Sequence, residues 1–334
     1  MSLDVKQYLR AKAKAHPKKV IFSETGEDRI LRAARQVLDL GLGFPILVGK
    51  PAEITALASS IGVSLDGIVL VDNTDEALVD SYVARYLEIS TILPAKTLKR
   101  MMRQTLNFAV LMEAIGEADC TVAGLLHTTS EVILAAQMIL GMQEGIETVS
   151  SWGVWSIPGF EGSDGNVLVH ADCAVVPDPS PAELADIAIA SADTTRALLD
   201  LEPRVALLSF STKGSGQHEK VDRVLEALEI VRKRRPDLKI DGEFQVDSAI
   251  IPAVAARKVK EPSEVAGRAN ILIFPDLNAG NIGVKLVQIF AKADAFGPLL
   301  QGFAKPITDL SRGATVDNIV GATTNVIVLA QSKK

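Results

Sequence analysis

The sequence predicts an α/β protein of two domains, each with a mostly parallel sheet between layers of helices. Strand-like and helix-like segments alternate over residues 19–71, which is typical of such sheets. The chain has 334 residues, of which 48% are hydrophobic, and this length favours two cores over one. After Gly145 the sequence changes to the residue alternation of antiparallel strands, so we expect a domain boundary near residue 148.

Hydrophobic periodicity and breaker residues define the elements of the first domain. A helix over residues 3–15 ends before Pro17, because the residue preceding a proline is disfavoured in the helical region. Apolar residues recur at helical spacing over 28–40 and predict a second helix there. The other predicted elements are strands at 19–22, 44–48, 68–71 and 119–124, helices at 51–61 and 131–139, and a mostly helical stretch over 75–115.

The remainder of the chain begins with a predicted hairpin, formed by residues 149–157 and 167–176. Trp152 and Trp155 lie in its first strand, and we expect them to be core residues or interface anchors. Further along, a buried strand at 271–274 is followed by a predicted loop at 275–281. The other predicted elements are helices at 179–199, 220–235 and 316–328 and a strand at 205–210.

Composition and charge exclude several classes of function. A formal net charge of -6 gives no electrostatic reason to bind nucleic acid. No apolar run reaches 18 residues and no basic amphipathic run is present, so we expect no membrane association. The amino terminus is charged from residue 4 onward, which argues against a signal or transit peptide and for a cytoplasmic protein.

Cysteine and histidine usage predicts neither a disulfide nor a bound metal. Cys120 and Cys173 are far apart in apolar contexts, which favours two buried free thiols. The four histidines occur in no spacing typical of a zinc site.

Turn residues gather over residues 270–318 more densely than a core requires. Because ligands of open α/β sheets bind at the carboxyl ends of strands, the loop after strand 271–274 is a candidate site. A second candidate is the cluster Thr128, Thr129 and Ser130 before helix 131–139. These hydroxyls either cap the helix or, together with its free N–H groups, hold an anion.

Polar groups also follow strand 205–210. Ser211, Lys213 and two glycines form a loop that could cradle phosphate, although the full P-loop spacing is absent. Asp241 and Glu243 are neighbouring acids, for which acid/base chemistry and ordinary capping or ion pairing both stay open.

Six segments carry a specific resemblance that extends over nearly the whole chain. They are EADCTVAGLLHTT (117–129), VLVHADCAVVPDPSPAELADIAIASADT (167–194), ALLSFSTKGSG (206–216), DGEFQVDSAI (241–250), ILIFPDLNAGNIGVKLVQ (271–288) and GPLLQGFAKPITDLSRG (297–313). With these segments the chain resembles the phosphate acetyltransferase and phosphate butyryltransferase family in its short, single-unit form.

The resemblance implies two three-layer α/β domains with mostly parallel sheets and a cleft between them, like isocitrate and isopropylmalate dehydrogenases. Residues 1–148 and 300–334 would form the first domain, and residues 149–299 the second, dimer-forming one. The implied reaction is reversible transfer of an acyl group, acetyl in the first place, between acyl phosphate and coenzyme A. Coenzyme A and phosphate are substrates, the assembly is a homodimer, and no cofactor or metal is implied.

Site residues follow from the same resemblance. Ser311 would hydrogen-bond the thiol or the developing oxyanion, and Arg312 would bind the phosphate with its planar fork. Asp317 is a candidate base. The residues implied to bind substrate are Thr128, Thr129, Ser211, Lys213, Asn278, Gly280, Asn281, Lys305 and Asp309. For Asp309, positioning of the Ser311-Arg312 turn explains the residue as well as direct contact does.

Three positions depart from the family's pattern. The family usually has an acid seven residues after the serine, where this chain has Asn318, whose amide cannot accept a proton. Either neighbouring Asp317 substitutes, although on a helix it would point about 100° away from that position, or the thiol ionises without a protein base. An arginine usually lies seven residues after the histidine, where this chain has Leu134. The basic run usual over residues 82–92 offers only Arg85.

Two functions therefore stay open. The chain is either an active phosphate acyltransferase that uses Ser311 and Arg312, or a weak or inactive relative that binds coenzyme A esters or acyl phosphate as a sensor or partner subunit. A dehydrogenase is not supported, because the dinucleotide fingerprint GxGxxG is absent. Replacement cations beside Arg312, from Arg85, Arg103 or Lys305, would favour the enzyme.

Overall fold

A computed structural model describes residues 4–332 of the chain. These residues group into two compact units. We call residues 9–144 with 303–332 the terminal unit, and residues 4–8 with 145–302 the middle unit. Residue 3, where the first predicted helix begins, lies outside the described residues.

The described chain alternates strands and helices up to Ile139. In order, these elements are α1 (Val5–Ala15), β1 (Lys18–Phe22), α2 (Asp28–Asp39), β2 (Gly43–Val48), α3 (Pro51–Ile61), β3 (Val69–Val71), α4 (Glu76–Ile89), α5 (Ala95–Met101), α6 (Thr105–Ala114), β4 (Cys120–Val122) and α7 (Thr129–Ile139).

The remaining elements begin with two strands in succession. They are β5 (Ser150–Ser156), β6 (Val167–Ala171), α8 (Pro181–Leu199), β7 (Arg204–Leu208), α9 (Glu219–Arg234), β8 (Lys239–Phe244), α10 (Val246–Ile250), α11 (Pro252–Lys258), β9 (Ile271–Ile273), α12 (Leu277–Phe290), β10 (Asp294–Gln301) and α13 (Val316–Ser332).

The terminal unit is built on a parallel sheet of four strands in the order β3-β2-β1-β4. Val20, Ile21 and Phe22 of β1 are each 0% exposed. Because successive strand residues point to opposite faces, both faces of this sheet are covered. Helices α2, α6 and α13 all pack against it. The predicted α/β class and parallel sheet are confirmed here.

The middle unit contains a six-stranded sheet in the order β10-β5-β6-β9-β7-β8. Strands β5 and β6 pair antiparallel, which confirms the predicted hairpin, and β10 adds to β5 antiparallel as an edge strand. The other pairs are parallel. Trp152 and Trp155 on β5 are 1% and 3% exposed, as core residues should be.

The predicted loop at 275–281 is wrong in its second half, because α12 begins at Leu277. Asp276 caps the helix by accepting a hydrogen bond of 2.9 Å from the N–H group of Ala279. Gly280 allows α12 to approach the chain at Asp172, since a Cβ atom at this position would lie 2.2 Å from the Asp172 carbonyl oxygen. The glycine and the capping acid, which suggested a loop, instead begin a closely packed helix.

Candidate active site

A cavity of about 310 Å³ lies at the carboxyl ends of the strands of the terminal unit. Each of the four strands contributes residues from the loop that directly follows it, namely residues 23–26, 49–50, 73–74 and 126–127. Lys50 and Arg103 bring positive charge to its wall. This is the edge of an open parallel sheet at which ligands bind.

At the base of this cavity, the buried carboxylate of Glu24 orders the loop after β4. It accepts hydrogen bonds of 2.8, 2.8 and 2.9 Å from the N–H groups of Leu125, Leu126 and His127. It also lies 2.8 Å from Nδ1 of the His127 ring. Glu24 is only 3% exposed, so this carboxylate is held in one place by the loop that surrounds it.

The two groups shift each other's proton affinity in opposite directions. Burial alone would raise the pKa of Glu24, but hydrogen bonds from the His127 ring and from the loop N–H groups outweigh it and lower the pKa. The hydrogen bond to Glu24 raises the pKa of His127 above its usual value, against the effect of partial burial. An ordered carboxylate-imidazole pair at the cavity is the result.

The chain at residues 306–310 runs beside β4 and carries the predicted turn to this edge of the sheet. The N–H group of Thr308 donates to the Thr121 carbonyl at 3.0 Å, and that of Leu310 to the Ala123 carbonyl at 2.8 Å. Gly124 has a φ of +104°, and a Cβ atom there would lie 2.3 Å from the Leu310 nitrogen. Only glycine therefore permits this approach.

The threonine cluster serves first as a helix cap. Thr128 and Glu131 form a reciprocal capping box at the start of α7, which confirms the capping interpretation for Thr128. Thr129 has a different partner, because its Oγ1 donates a hydrogen bond of 2.5 Å to Oδ2 of Asp309. Burial raises the pKa of Asp309, although this hydrogen bond opposes the shift. Asp309 thus anchors the segment before Ser311.

Ser311, Arg312 and Gly313 form an exposed turn directly after this anchor. Arg29, which was not predicted from the sequence, supports the turn through hydrogen bonds to its main chain. Its Nη1 donates to the main-chain carbonyls of Arg312 and Ala314 at 3.0 and 2.9 Å. The Arg312 guanidinium itself makes no hydrogen bond or ion pair with any other residue in the described range 4–332, so it is available to an anion.

The two residues considered for the base position are both engaged elsewhere. Oδ1 of Asn318 accepts hydrogen bonds from the N–H group and Oγ1 of Thr315, at 3.0 and 2.8 Å. Asp317 lies 3.3 Å from Arg10 in an exposed ion pair. The expected divergence of these side chains is therefore present, and Asp317 stays a catalytic residue by prediction only.

Of the three candidate replacement cations, Arg103 alone lines the cavity together with Glu24 and His127. Arg85 pairs with Glu117. Lys305, predicted to bind substrate, donates a hydrogen bond of 2.5 Å to the Glu113 carbonyl. Leu134, where the family usually has arginine, is 57% exposed on α7.

In the middle unit, the side chains of the predicted phosphate loop are bonded to groups of strand β8. Ser211 is 0% exposed and donates a hydrogen bond of 2.7 Å to Glu243. Lys213 donates to Asp241 at 2.6 Å and to the Gly242 carbonyl at 2.7 Å. Asp241 is therefore ion-paired, as one of the two interpretations expected. Substrate contacts of Ser211 and Lys213 stay a prediction that would require these bonds to be exchanged.

Of the three predicted binding residues on α12, two have structural contacts and one is exposed. Asn281 donates a hydrogen bond of 3.1 Å to the Cys173 carbonyl, and Gly280 packs on Asp172. Both therefore have structural roles of their own. Asn278 in the first turn is exposed.

Two further expectations concern metals and membranes. Within residues 4–332, no group of three or more His, Cys, Asp or Glu residues is placed to hold a metal ion. No helix in that same range is long and apolar enough to span a membrane.

Comparison with known proteins gives consistent matches along the chain. The sequence profile described as Phosphate acetyl/butaryl transferase matches residues 4–328. A phosphate acetyltransferase of Clostridium acetobutylicum is 43% identical over 321 residues, which are 96% of this chain and 96% of that protein. A phosphotransacetylase structure from Streptococcus pyogenes has a TM-score of 0.89 and 35% identity, with 100% of both chains covered.

A more distant structure shares the fold alone. The 4-hydroxythreonine-4-phosphate dehydrogenase of Klebsiella pneumoniae has a TM-score of 0.56 at 10% identity, over 94% of this chain and 100% of that one. The expected dehydrogenase-like fold is thus confirmed without a dehydrogenase relationship. From the profile match and the full-length relatives, the chain belongs to the phosphate acetyl/butyryl transferase family.

Proposed function

We propose that the chain catalyses reversible transfer of an acyl group, acetyl in the first place, between acyl phosphate and coenzyme A. The observation that carries this proposal is the exposed Ser311-Arg312 turn, anchored beside the start of α7 by the bond between Thr129 and Asp309. Family membership over residues 4–328 supports the same reaction. No prosthetic group or metal takes part in it.

The chemistry assigns distinct tasks to the two turn residues. In acyl transfer the coenzyme A sulfur attacks the acyl carbon, an oxyanion develops, and phosphate departs. We assign to the hydroxyl of Ser311 the donation of a hydrogen bond to the oxyanion or the thiol. Arg312 has a free planar fork with which to bind the phosphate in two parallel hydrogen bonds. Arg103 brings positive charge to the neighbouring cavity, whose lining does not include Ser311 or Arg312.

A second candidate function is a weak or inactive relative that binds coenzyme A esters or acyl phosphate as a sensor or partner subunit. The observations that favour it are the apolar Leu134 at a position where relatives have a cation, and the engagement of Arg85 and Lys305 away from the cavity. Such a protein would retain binding by the loops and lose turnover.

One assay separates the two functions. Purified protein is supplied with phosphate and acetyl-, propionyl- or butyryl-coenzyme A, and acyl phosphate formation is measured beside binding by calorimetry. Turnover of at least one ester above the uncatalysed rate supports the enzyme and identifies its acyl group. Binding of these esters with no turnover of any would reject the enzyme in favour of the sensor.

A homodimer formed through the middle unit belongs to the same proposal. Helix α12 presents Ile282, Leu286, Ile289 and Phe290 along one face, and these residues are 48% to 80% exposed. Such an apolar stripe is typical of an interaction surface. The edge strand β10 lies in the same unit and offers a strand for pairing. A second copy of the chain would cover the stripe symmetrically.

The proposed location is the cytoplasm. Cys120 and Cys173 are both free and buried, as the sequence predicted, and unpaired thiols are usual in a reducing compartment.

A further inference from the structure

Acyl transfer from acyl phosphate requires a group that takes the proton of the coenzyme A thiol, because the thiolate is the nucleophile. In the carboxyl-terminal segment, the two residues considered for this role both have other partners. Asn318 is an amide whose Oδ1 is used by Thr315, and the Asp317 carboxylate is paired with Arg10. The other titratable groups at this edge of the sheet are therefore candidates for the base.

Asp309 is the nearest acid in sequence to Ser311, but its accessible chemistry is limited. Its Oδ2 accepts the hydrogen bond from Thr129. Its Oδ1 is buried without a hydrogen-bond partner among the described residues, and it faces Gly124, where a Cβ atom would lie 2.6 Å away. The accessible oxygen, Oδ2, is bonded to Thr129, and we assign Asp309 to anchoring the turn.

His127 has the features that Asp309 lacks. Its Nδ1 lies 2.8 Å from a Glu24 carboxylate that three loop N–H groups hold in place. With Nδ1 bound to the carboxylate, the neutral ring carries its lone pair on Nε2. Among residues 4–332, Nε2 has no hydrogen-bond partner, and the half-exposed His127 side chain lines the cavity. A carboxylate that orients an imidazole is a recurrent device for activating a nucleophile.

The position of His127 also fits the reacting groups. It directly precedes Thr128 and Thr129, and Thr129 is bonded to Asp309, two residues before Ser311. The Leu310 N–H group is bonded to the Ala123 carbonyl at the start of the same loop. The loop with the histidine and the turn with the phosphate-binding arginine are thus neighbours along one edge of the sheet.

We propose that His127 is the base that takes the proton from the coenzyme A thiol, with Glu24 as its positioning residue; this inference rests on the acyl-transfer function proposed above. The S–H proton passes to Nε2 as the sulfur forms a bond to the acyl carbon. The carbon–oxygen bond to phosphate then breaks, and its electron pair leaves with the phosphate. In the reverse direction the imidazolium returns the proton to the departing thiolate.

The charges around the imidazole suit this role. Glu24 and Glu131 both raise the pKa of His127, which brings it closer to that of a thiol. A base and an acid of similar pKa exchange a proton efficiently at neutral pH. Glu24 and Glu131 are the charged groups that act on the ring. The other charged residues that line the same cavity are Lys50, Glu53 and Arg103, and Arg312 acts on Glu131.

The first test uses His127→Ala in the full chain, with coenzyme A and acetyl phosphate, from about pH 6.5 to pH 9.5. We expect kcat at pH 7 to fall by about 10²- to 10⁴-fold, as for loss of a general base. The deficit should narrow above the thiol pKa of about 8.5, where thiolate forms without a base. The matched control is His16→Gln, at an exposed residue far from the cavity in sequence, with kcat unchanged. A deficit below about fivefold, or one that stays constant with pH, would overturn the proposal.

A second variant tests the positioning residue and does not depend on removal of the imidazole. Glu24→Gln should move the acidic limb of the kcat profile of the enzyme to lower pH, because the charge that raises the His127 pKa is gone. A limb that stays in place would reject the role of Glu24 and His127. So would a gain in kcat of more than about tenfold in Asn318→Asp, since the acid at 318 would then be the base.

These outcomes differ from a failure of the acyl-transfer function itself. If the parent protein turns over no acyl phosphate, both proposals fail together. If the parent is active and His127→Ala behaves like it, only the assignment of the base is lost.

Discussion

Oγ1 of Thr129 donates a hydrogen bond of 2.5 Å to Oδ2 of Asp309, and this bond joins residues 180 positions apart in the sequence. It ties the first turn of α7 to the segment that ends in Ser311 and Arg312. Since the other carboxylate oxygen of Asp309 is buried without a partner among the described residues, the threonine is the principal polar support of this acid.

Thr129→Val should therefore destabilise the chain by about 1–2 kcal/mol, because a largely buried carboxylate loses its hydrogen-bond donor. Urea unfolding at pH 7.5 measures this change in the free energy of unfolding. Thr129→Ser keeps the donor and should stay close to the parent. If valine and serine variants unfold at the same urea concentration, the bond does not support the turn.

The contacts of Arg29 with the turn predict that catalytic efficiency falls when this side chain is removed. Arg29→Ala removes the hydrogen bonds to the carbonyls of Arg312 and Ala314, so the turn should lose its position, and kcat/KM should fall by about 10- to 100-fold. Arg32→Ala, which removes an arginine whose side chain is 42% exposed on the same helix, should change it by less than about twofold. Equal rates for the two variants would exclude support of the turn by Arg29.

The pair of Glu24 and His127 predicts how stability varies with pH. The folded pKa of His127 is raised, so its contribution is complete below the unfolded value of about 6.5 and is lost as pH rises through the folded value. The lowered pKa of Glu24 limits the window on the acid side, because that contribution is complete above the unfolded value of about 4.5 and is lost as pH falls through the folded value.

His127→Gln should consequently cost about 1 kcal/mol near pH 6, after allowance for solvent screening of a half-exposed ring, and less at pH 8.5. Urea unfolding of parent and variant at these two values measures the difference. A larger cost at pH 8.5 than at pH 6 would contradict the ion pair.

The apolar stripe on α12 predicts the effect of a charge on assembly. Leu286→Asp places a carboxylate in the middle of the stripe and should convert the dimer to a monomer at micromolar concentration, as read by sedimentation velocity. Gln288→Asp, on the same helix but about 150° from the stripe, should leave the dimer intact. A parent protein that sediments as a monomer would contradict the proposed dimer directly.

Local sequence patterns sufficed for most of the fold. The alternation of short apolar strands, such as the one containing Val20, Ile21 and Phe22, with amphipathic helices predicts a parallel sheet with helices on both faces. The antiparallel pairing of β5 with β6 follows from the alternation of residues within these strands. These features depend on periodicity within about ten residues, which a single sequence displays.

The start of α12 shows where such patterns mislead. Pro275, Asp276 and Gly280 have loop chemistry, yet they cap and pack a helix. What decides between loop and helix is the position of Asp172, more than 100 residues earlier in the chain. Contacts at that separation leave no local pattern.

The candidate site was predictable only in its exposed parts. The roles of Ser311 and Arg312 were predicted from the resemblance of their turn to the family's motif. Glu24 and Arg29 were not predicted, because each also binds main-chain groups of distant segments, and a side-chain motif does not show such contacts. Lys213 was predicted to bind phosphate, but it is paired with Asp241, 28 residues later in the sequence, and a local motif does not show this pairing.

The central claim is that the Ser311-Arg312 turn performs acyl transfer, and the most direct test compares the parent with Arg312→Ala. Acetyl phosphate formation from acetyl-coenzyme A and phosphate is measured for both, with Arg257→Ala as an exposed-arginine control. We predict turnover by the parent and the control, and a fall in kcat/KM of about 10²- to 10³-fold in Arg312→Ala. No turnover by the parent, or equal rates in parent and Arg312→Ala, would contradict the account.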